Sequence, residues 1–98
     1  MKVLVVCNAG MSSSILVQKM KNYASEAGEE LEIKAVSSAS AEEEAGEWDV
    51  CLVGPQLMHA VDEIKEMVGV PTEAVEMRTY AMADGKAALE QAKRLMGE

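Results

Sequence analysis

Val3-Leu4-Val5-Val6-Cys7-Asn8-Ala9-Gly10-Met11-Ser12-Ser13-Ser14-Ile15 carries the chain from an unbroken apolar run, through small residues, into a helical pattern. Lys2 to Val6 reads as a strand. Its continuous, valine-rich character is that of a strand covered on both faces in a parallel sheet. Ser12 or Ser13 is placed to cap the helix that follows. Leu16, Met20, Tyr23, Ala24 and Ala27 recur at helical spacing as its buried stripe, with Gln18, Lys19, Lys21, Asn22 and Glu26 on the wet side. Gly28 is the expected stop. A strand, a turn and a helix start therefore meet at one thiol, Cys7.

The same alternation continues outward from this unit. Leu31 to Val36 alternates apolar and charged residues, the pattern of an edge strand with one exposed face. Ser37 to Ser40 reads as loop, and Ser40 with Glu43 has the spacing of a capping box opening a short helix. Trp48 to Gly54 is a third strand, and Val50-Cys51-Leu52-Val53 is apolar throughout, so it belongs at the centre. Gly54-Pro55 breaks that strand and starts a helix whose core stripe is Leu57, Val61, Ile64 and Val68, widened by Met58 and Met67 and ended by Gly69. Val70 to Met77 is expected as an outer edge strand, since Pro71 lacks an amide donor and Glu73 and Glu76 interrupt the apolar residues. Arg78 to Ala83 reads as loop. Asp84 caps a last helix, Ala87 to Met96, which turns Ala88, Leu89, Ala92, Leu95 and Met96 inward.

Strand-helix units repeated in this way predict an α/β fold: a single domain over residues 1–98, with a four-stranded parallel sheet and helices on both faces. With strand order 2-1-3-4 the chain leaves the first strand to one side while the third strand lies on the other. Ligands bind at such a switch point, outside the carboxyl ends of the strands. Cys7 falls there, as does Gly54-Pro55-Gln56, with the Arg78 to Asp84 loop nearby.

Composition narrows the function classes. Apolar residues make up 49% of 98 residues, enough for a core, and there is no phenylalanine. The net charge of −8 argues against nucleic acid and against anionic membrane surfaces, which need clustered Lys and Arg. Cys7 and Cys51 form no CxxC pair and no Cys/His cluster with metal spacing, so no metal and no cofactor are expected. The acidic run Glu42-Glu43-Glu44 reads as the solvated first turn of a helix. The apolar run after Met1-Lys2 is too short for a signal-peptide core, and no stretch approaches a membrane span, so the expectation is a cytoplasmic chain with no membrane insertion of its own.

At Cys7 two readings stand side by side. A cysteine ending a buried strand is a common small core residue, and serines before a helix are common caps. The functional reading starts from the unpartnered amides and partial positive charge of a helix start, which hold an anion without any cationic side chain. That field also favours a thiolate over a thiol. A thiolate beside an anion cradle points to phosphate carried on sulfur, and it requires the sulfur to lie at the sheet's mouth. Cys51, inside a strand, reads as a buried structural thiol.

The segment from Cys7 to Val17 resembles the phosphocysteine loop of the IIB components of the sugar phosphotransferase system (PTS), lactose/cellobiose/chitobiose type. Asp49-Val50-Cys51-Leu52-Val53-Gly54-Pro55-Gln56 resembles that family's third strand and following turn, and Tyr80 with Asp84-Gly85 resembles the approach to its last helix. The resemblance implies a fold similar to that of the low-molecular-weight phosphatases, and a relay. A phosphohistidine on a IIA protein hands its phosphoryl group to Cys7, which passes it to a sugar of the β-glucoside or oligosaccharide class held by the membrane-embedded IIC permease. The chain would then be a phosphotransferase, peripheral to the membrane through IIC. Asn8, Ala9, Gly10, Met11, Ser12, Ser13 and Ser14 would form the phosphate-binding loop. Glycine at 10 lets the backbone approach the phosphate.

Two rival functions use the same loop. A low-molecular-weight cysteine phosphatase needs arginine at position 13, where this chain has serine, so the bidentate grip on phosphate is missing. A non-catalytic regulatory module would capture no phosphate. Gln56, Arg78 and Tyr80 are candidates for the site rim, with an exposed structural role open for Arg78. His59, the one histidine, reads as a surface residue not needed for transfer. Exposed methionines such as Met11 would supply an adaptable docking patch.

Overall fold

The computed structural model describes residues 1–7 and 13–97. Along them run β1 (Lys2–Cys7), α1 (Ser13–Glu26), β2 (Glu32–Ser37), a 3-10 helix (Ser38–Glu44), β3 (Val50–Val53), a second 3-10 helix (Pro55–Ala60), α2 (Val61–Val68), β4 (Thr72–Ala74), α3 (Met77–Ala81) and α4 (Gly85–Leu95). The sheet is parallel, with order β2-β1-β3-β4.

β1 and β3 are central because every residue from Val3 to Cys7 and from Val50 to Val53 is buried, which only a strand covered on both faces tolerates. Successive side chains go to opposite sides. Val3, Val5, Val50 and Leu52 meet α1 and α4 through Leu16, Met20, Ala88 and Leu89. Leu4, Val6, Cys51 and Val53 meet the first 3-10 helix and α2 through Ala41, Ile64 and Val68. The edge strand β2 half-buries Ile33 and Ala35 against the α1/α4 side and turns Lys34 out to Glu44 at 3.2 Å. Trp48 Nε1 donates to the same carboxylate at 3.2 Å, and these two bonds, the one from Lys34 first, hold Glu44 below the usual carboxylate range.

Helix ends follow their sequence signals. At the end of α1, Gly28 takes φ 72, Glu29 N–H donates to Ala24 O at 2.8 Å and Gly28 N–H to Ser25 O at 3.2 Å, the double closure that needs a left-handed residue. Asp84 Oδ1 accepts from Ala87 N–H at 3.1 Å and caps α4. Gly85 lets α4 lie on α1 itself, since a Cβ there would fall 2.4 Å from the backbone carbon of Lys19.

Several expectations are corrected. Ala27 is exposed, beyond the last turn of α1. The Ser40/Glu43 capping box is not used: the 3-10 helix starts at Ser38, and Ser37 ends β2. The single helix expected after Pro55 is two, because Leu57 leaves helical geometry (φ −111, ψ 18) before α2 begins. β4 is three residues long, bounded by Pro71, whose carbonyl accepts from Cys51 N–H at 2.8 Å. Beyond it, Gln91 Nε2 donates to Ala74 O at 2.8 Å and so covers a carbonyl of the outer edge. The loop expected at Arg78 to Ala83 contains the helical turns of α3.

Candidate functional site

The carboxyl edge of the sheet gathers the candidate residues. Cys7 is the last residue of β1, paired in register with Ser37 of β2 on one side, while on the other side Val6 pairs with Val53. That register sets Gly54 directly beside Cys7. Gly54 N–H donates to Val6 O at 2.8 Å, and a Cβ at 54 would stand 3.4 Å from the Cβ of Cys7. The switch point expected from the strand order is therefore at Cys7, between the chain's departure to β2 and its departure to β3.

Cys7 is 1% exposed, so it lies at the mouth of the sheet but under cover. The expected loop residues Asn8, Ala9, Gly10, Met11 and Ser12 lie outside the described residues. Ser13 opens α1, and Ser14 and Ile15 are exposed on its first turn. Neither Cys7 nor Cys51 is in a disulfide. Cys51 is buried on the opposite side of the sheet, among Leu4, Val53 and Ile64, and burial pushes its thiol up to about 12 against a partial offset from the Thr72 hydroxyl. The two cysteines thus have different surroundings, one at the edge ahead of a helix and one sealed in the core.

Gln56 is held beside Gly54 by the turn at Gly54-Pro55, where Leu57 N–H donates to Gly54 O at 2.9 Å. Its Oε1 lies 2.9 Å from where a Cβ at Gly54 would be. Arg78 is exposed on α3, on the segment that leaves the same edge from β4. Tyr80 is half-buried and packs on the α1/α4 side of the core, so its ring is partly structural. His59 is exposed in the second 3-10 helix. One neighbour of Cys7 was not singled out from sequence, Ser37, and the close approach of Gly54, expected only at the same edge, is set by the register. Only the inter-strand register reveals them, and the signal available was that parallel strands end on a common edge.

Next to Gly54 a groove of about 220 Å³ is lined by Pro55, Met58, Ala74, Val75, Glu76 and Met77. A wider hollow of about 770 Å³ lies at the opposite end of the sheet, between Asp62, Lys65 and Pro71, where a parallel sheet presents helix C-termini rather than N-termini. Among the described residues no three His, Cys, Asp or Glu side chains are grouped to hold a metal ion, and no helix is long and apolar enough to cross a membrane.

The described residues thus form a doubly wound parallel sheet with a cysteine at its switch point, ahead of a helix in the chain. The family model of the PTS system, Lactose/Cellobiose specific IIB subunit, matches residues 2–91. The oligo-beta-mannoside-specific EIIB component of Bacillus subtilis (strain 168) is 44% identical over 98 residues, covering 97% of this chain and 95% of that protein. The galactose-specific EIIB component of Lactococcus lactis subsp. cremoris (strain MG1363) is 38% identical over 102 residues, covering 96% and 94%. The solution structure of the cellobiose-specific phosphotransferase IIB component from Borrelia burgdorferi superposes with a TM-score of 0.81 at 29% identity, covering 99% of this chain and 92% of that one. The chain belongs to the lactose/cellobiose-specific IIB subunits of the sugar phosphotransferase system. It is a sugar-specific phosphotransferase component.

Proposed function

We propose that the chain, acting as one unit over residues 1–98, is a phosphoryl carrier that loads on Cys7 from a phosphohistidine of a IIA protein and unloads onto a sugar held by a IIC permease. The thiolate sulfur attacks phosphorus; the P–S bond forms as the P–N bond breaks, and the electron pair returns to the imidazole nitrogen. In the second step a sugar hydroxyl oxygen attacks phosphorus, the S–P bond breaks, Cys7 leaves as thiolate, and the hydroxyl proton passes to a base at the sugar site. Such transfers depend on positioning and charge stabilisation more than on covalent help. A thiolate is also a good leaving group for the onward step.

The observation that carries this reading is the position of Cys7 at the carboxyl end of a central strand, ahead of the N-terminus of a fourteen-residue helix. The amides of residues 8–14 are assigned as the phosphate cradle. Docking is assigned to the surrounding edge. The large apolar side chains left exposed among the described residues, Ile15, Met58, Met77 and Met82, all stand on segments leaving that edge. The sugar is assigned to the β-glycoside or oligosaccharide class, in keeping with the oligo-beta-mannoside named for the Bacillus relative. The carrier works at the cytoplasmic face, reaching the membrane through IIC.

Mixing the protein with a phosphorylated IIA partner and reading the intact mass tests the assignment. One phosphoryl adduct is expected, absent in Cys7→Ser and retained in Cys51→Ser and His59→Ala. Retention in Cys7→Ser, or loss in His59→Ala, would overturn it.

A further inference from the structure

We propose that Gln56 is a phosphate-contacting residue whose carboxamide donates a hydrogen bond to the phosphoryl group on Cys7, through the slot that the missing side chain of Gly54 leaves open. The inference rests on the carrier reading above. Its geometry is local. Cys7 and Gly54 end adjacent strands, and both follow residues of the α2 side of the core, Val6 and Val53, so their side-chain positions fall together on the other side of the sheet. A Cβ at 54 would touch Cys7 Cβ at 3.4 Å and Gln56 Oε1 at 2.9 Å. Among the described residues other than its two chain neighbours, the two side-chain atoms nearest to that vacant position are therefore Gln56 Oε1 and Cys7 Cβ, which puts the carboxamide and the base of the cysteine side chain around one small space.

The turn holds the carboxamide there. Pro55 occupies the first position of the 3-10 helix, and Gly54 O accepts from Leu57 N–H at 2.9 Å, so Gln56 sits in a closed turn above the end of β3. Gln56 is exposed and, among the described residues, makes no side-chain hydrogen bond. Its two N–H donors are uncommitted, and rotation about its last torsion exchanges oxygen for nitrogen at one position.

The chemistry suits a relay. A guanidinium at position 13 would hold the phosphoryl dianion by a charged, bidentate grip; here that position is serine. A neutral amide donor stabilises charge on the phosphoryl oxygens more weakly. An intermediate bound too tightly raises the barrier to its own onward transfer, so a moderate donor keeps both directions open.

The test compares Gln56→Ala and Gln56→Glu with the wild type, all loaded from phosphorylated IIA. Two quantities are read: the loading rate at saturating donor, and the pH titration of the phosphocysteine phosphorus resonance. Gln56→Ala is expected to load about tenfold more slowly, the loss of one hydrogen bond to a charged group. Gln56→Glu, of the same shape but bearing a carboxylate, is expected to load more slowly still. The phosphorus titration should move to higher pH in both variants, further in Gln56→Glu, because a donor to the dianion is lost. Wild-type loading rates with an unmoved titration overturn the inference while leaving the carrier reading intact. Slow loading with an unmoved titration also overturns it, placing Gln56 in partner docking instead. A wild-type protein that never loads overturns both.

Discussion

Gly54 lies against Cys7: the β1–β3 register brings the two ends together, and a Cβ on residue 54 would come within 3.4 Å of the cysteine Cβ. The backbone of Gly54 is ordinary (φ −58, ψ 146), so what a larger residue would disturb there is space and not conformation. In Gly54→Ala the tightest contact, 2.9 Å, is with Gln56 Oε1, the far end of a flexible side chain that can swing away. Stability should change by less than about 1 kcal/mol, while phosphoryl loading from IIA falls severalfold. A thermal melt alongside a loading time course checks this; a large drop in melting temperature with unchanged loading per folded molecule would contradict it.

Gly85 gives the opposite prediction. A Cβ there would meet Lys19 C, Lys19 O and Met20 N at 2.4, 2.5 and 2.6 Å, all backbone atoms of α1. Nothing can swing aside, so α4 must lift off α1. Gly85→Ala is expected to destabilise by about 1–3 kcal/mol, as overpacking does. For a domain of this size each 1 kcal/mol lowers the melting temperature by roughly 4–8 °C. Chemical denaturation of the two proteins measures it directly, and unchanged stability would mean that the helices are not in contact there.

The contrast between these two glycines shows what the sequence discloses. The central strands were legible because burial on both faces leaves no room for alternation, so Val3 to Val6 and Val50 to Val53 are apolar throughout. Gly28 and Asp84 were legible because helix ends need a left-handed residue or a side-chain acceptor. The break at Leu57 was not, since Leu57, Val61, Ile64 and Val68 keep helical spacing on either side of it and periodicity does not report a local backbone departure. Nor was α3 legible: of its five residues only Thr79 is buried, and Glu76 offers it no side-chain cap. For the site, Cys7 stood out as the thiol between a strand and a helix. The strand order placed Gly54 at the same edge, but its contact with Cys7 and the pairing of Cys7 with Ser37 depend on register between strands distant in sequence, which no local pattern encodes.

Cys51 predicts an alkaline limit. Burial raises its thiol from 9.0 to about 12, so the folded protein keeps a proton that the unfolded chain loses. The associated stability is complete below about pH 9 and is lost as the pH climbs from about 9 toward about 12, by up to about 1.4 kcal/mol per pH unit. Urea titrations from neutral to alkaline pH should show wild type losing stability more steeply than Cys51→Ala, whose stability at neutral pH is lower for want of the buried sulfur. Parallel slopes would show that Cys51 ionises alike in both states.

Met58 and Met77 flank the groove next to Gly54, at 63% and 70% exposure. Exposed apolar side chains on an otherwise acidic surface contribute little to folding, so Met58→Gln with Met77→Gln should leave stability within about 0.5 kcal/mol of wild type. A partner that buries both would lose roughly 1 kcal/mol or more per side chain. The double variant should therefore raise the half-saturating concentration of phosphorylated IIA by about tenfold or more, with the rate at saturation close to wild type, because both side chains are assigned to docking and neither to the phosphate. Gln56 variants should behave in the reverse way, slowing the saturated rate and sparing the half-saturation point. Loading kinetics across a range of IIA concentrations separate the two effects. An unchanged half-saturation point in the methionine variant would remove this face from the docking surface and leave the donor to approach Cys7 from the α1 side, past Ile15.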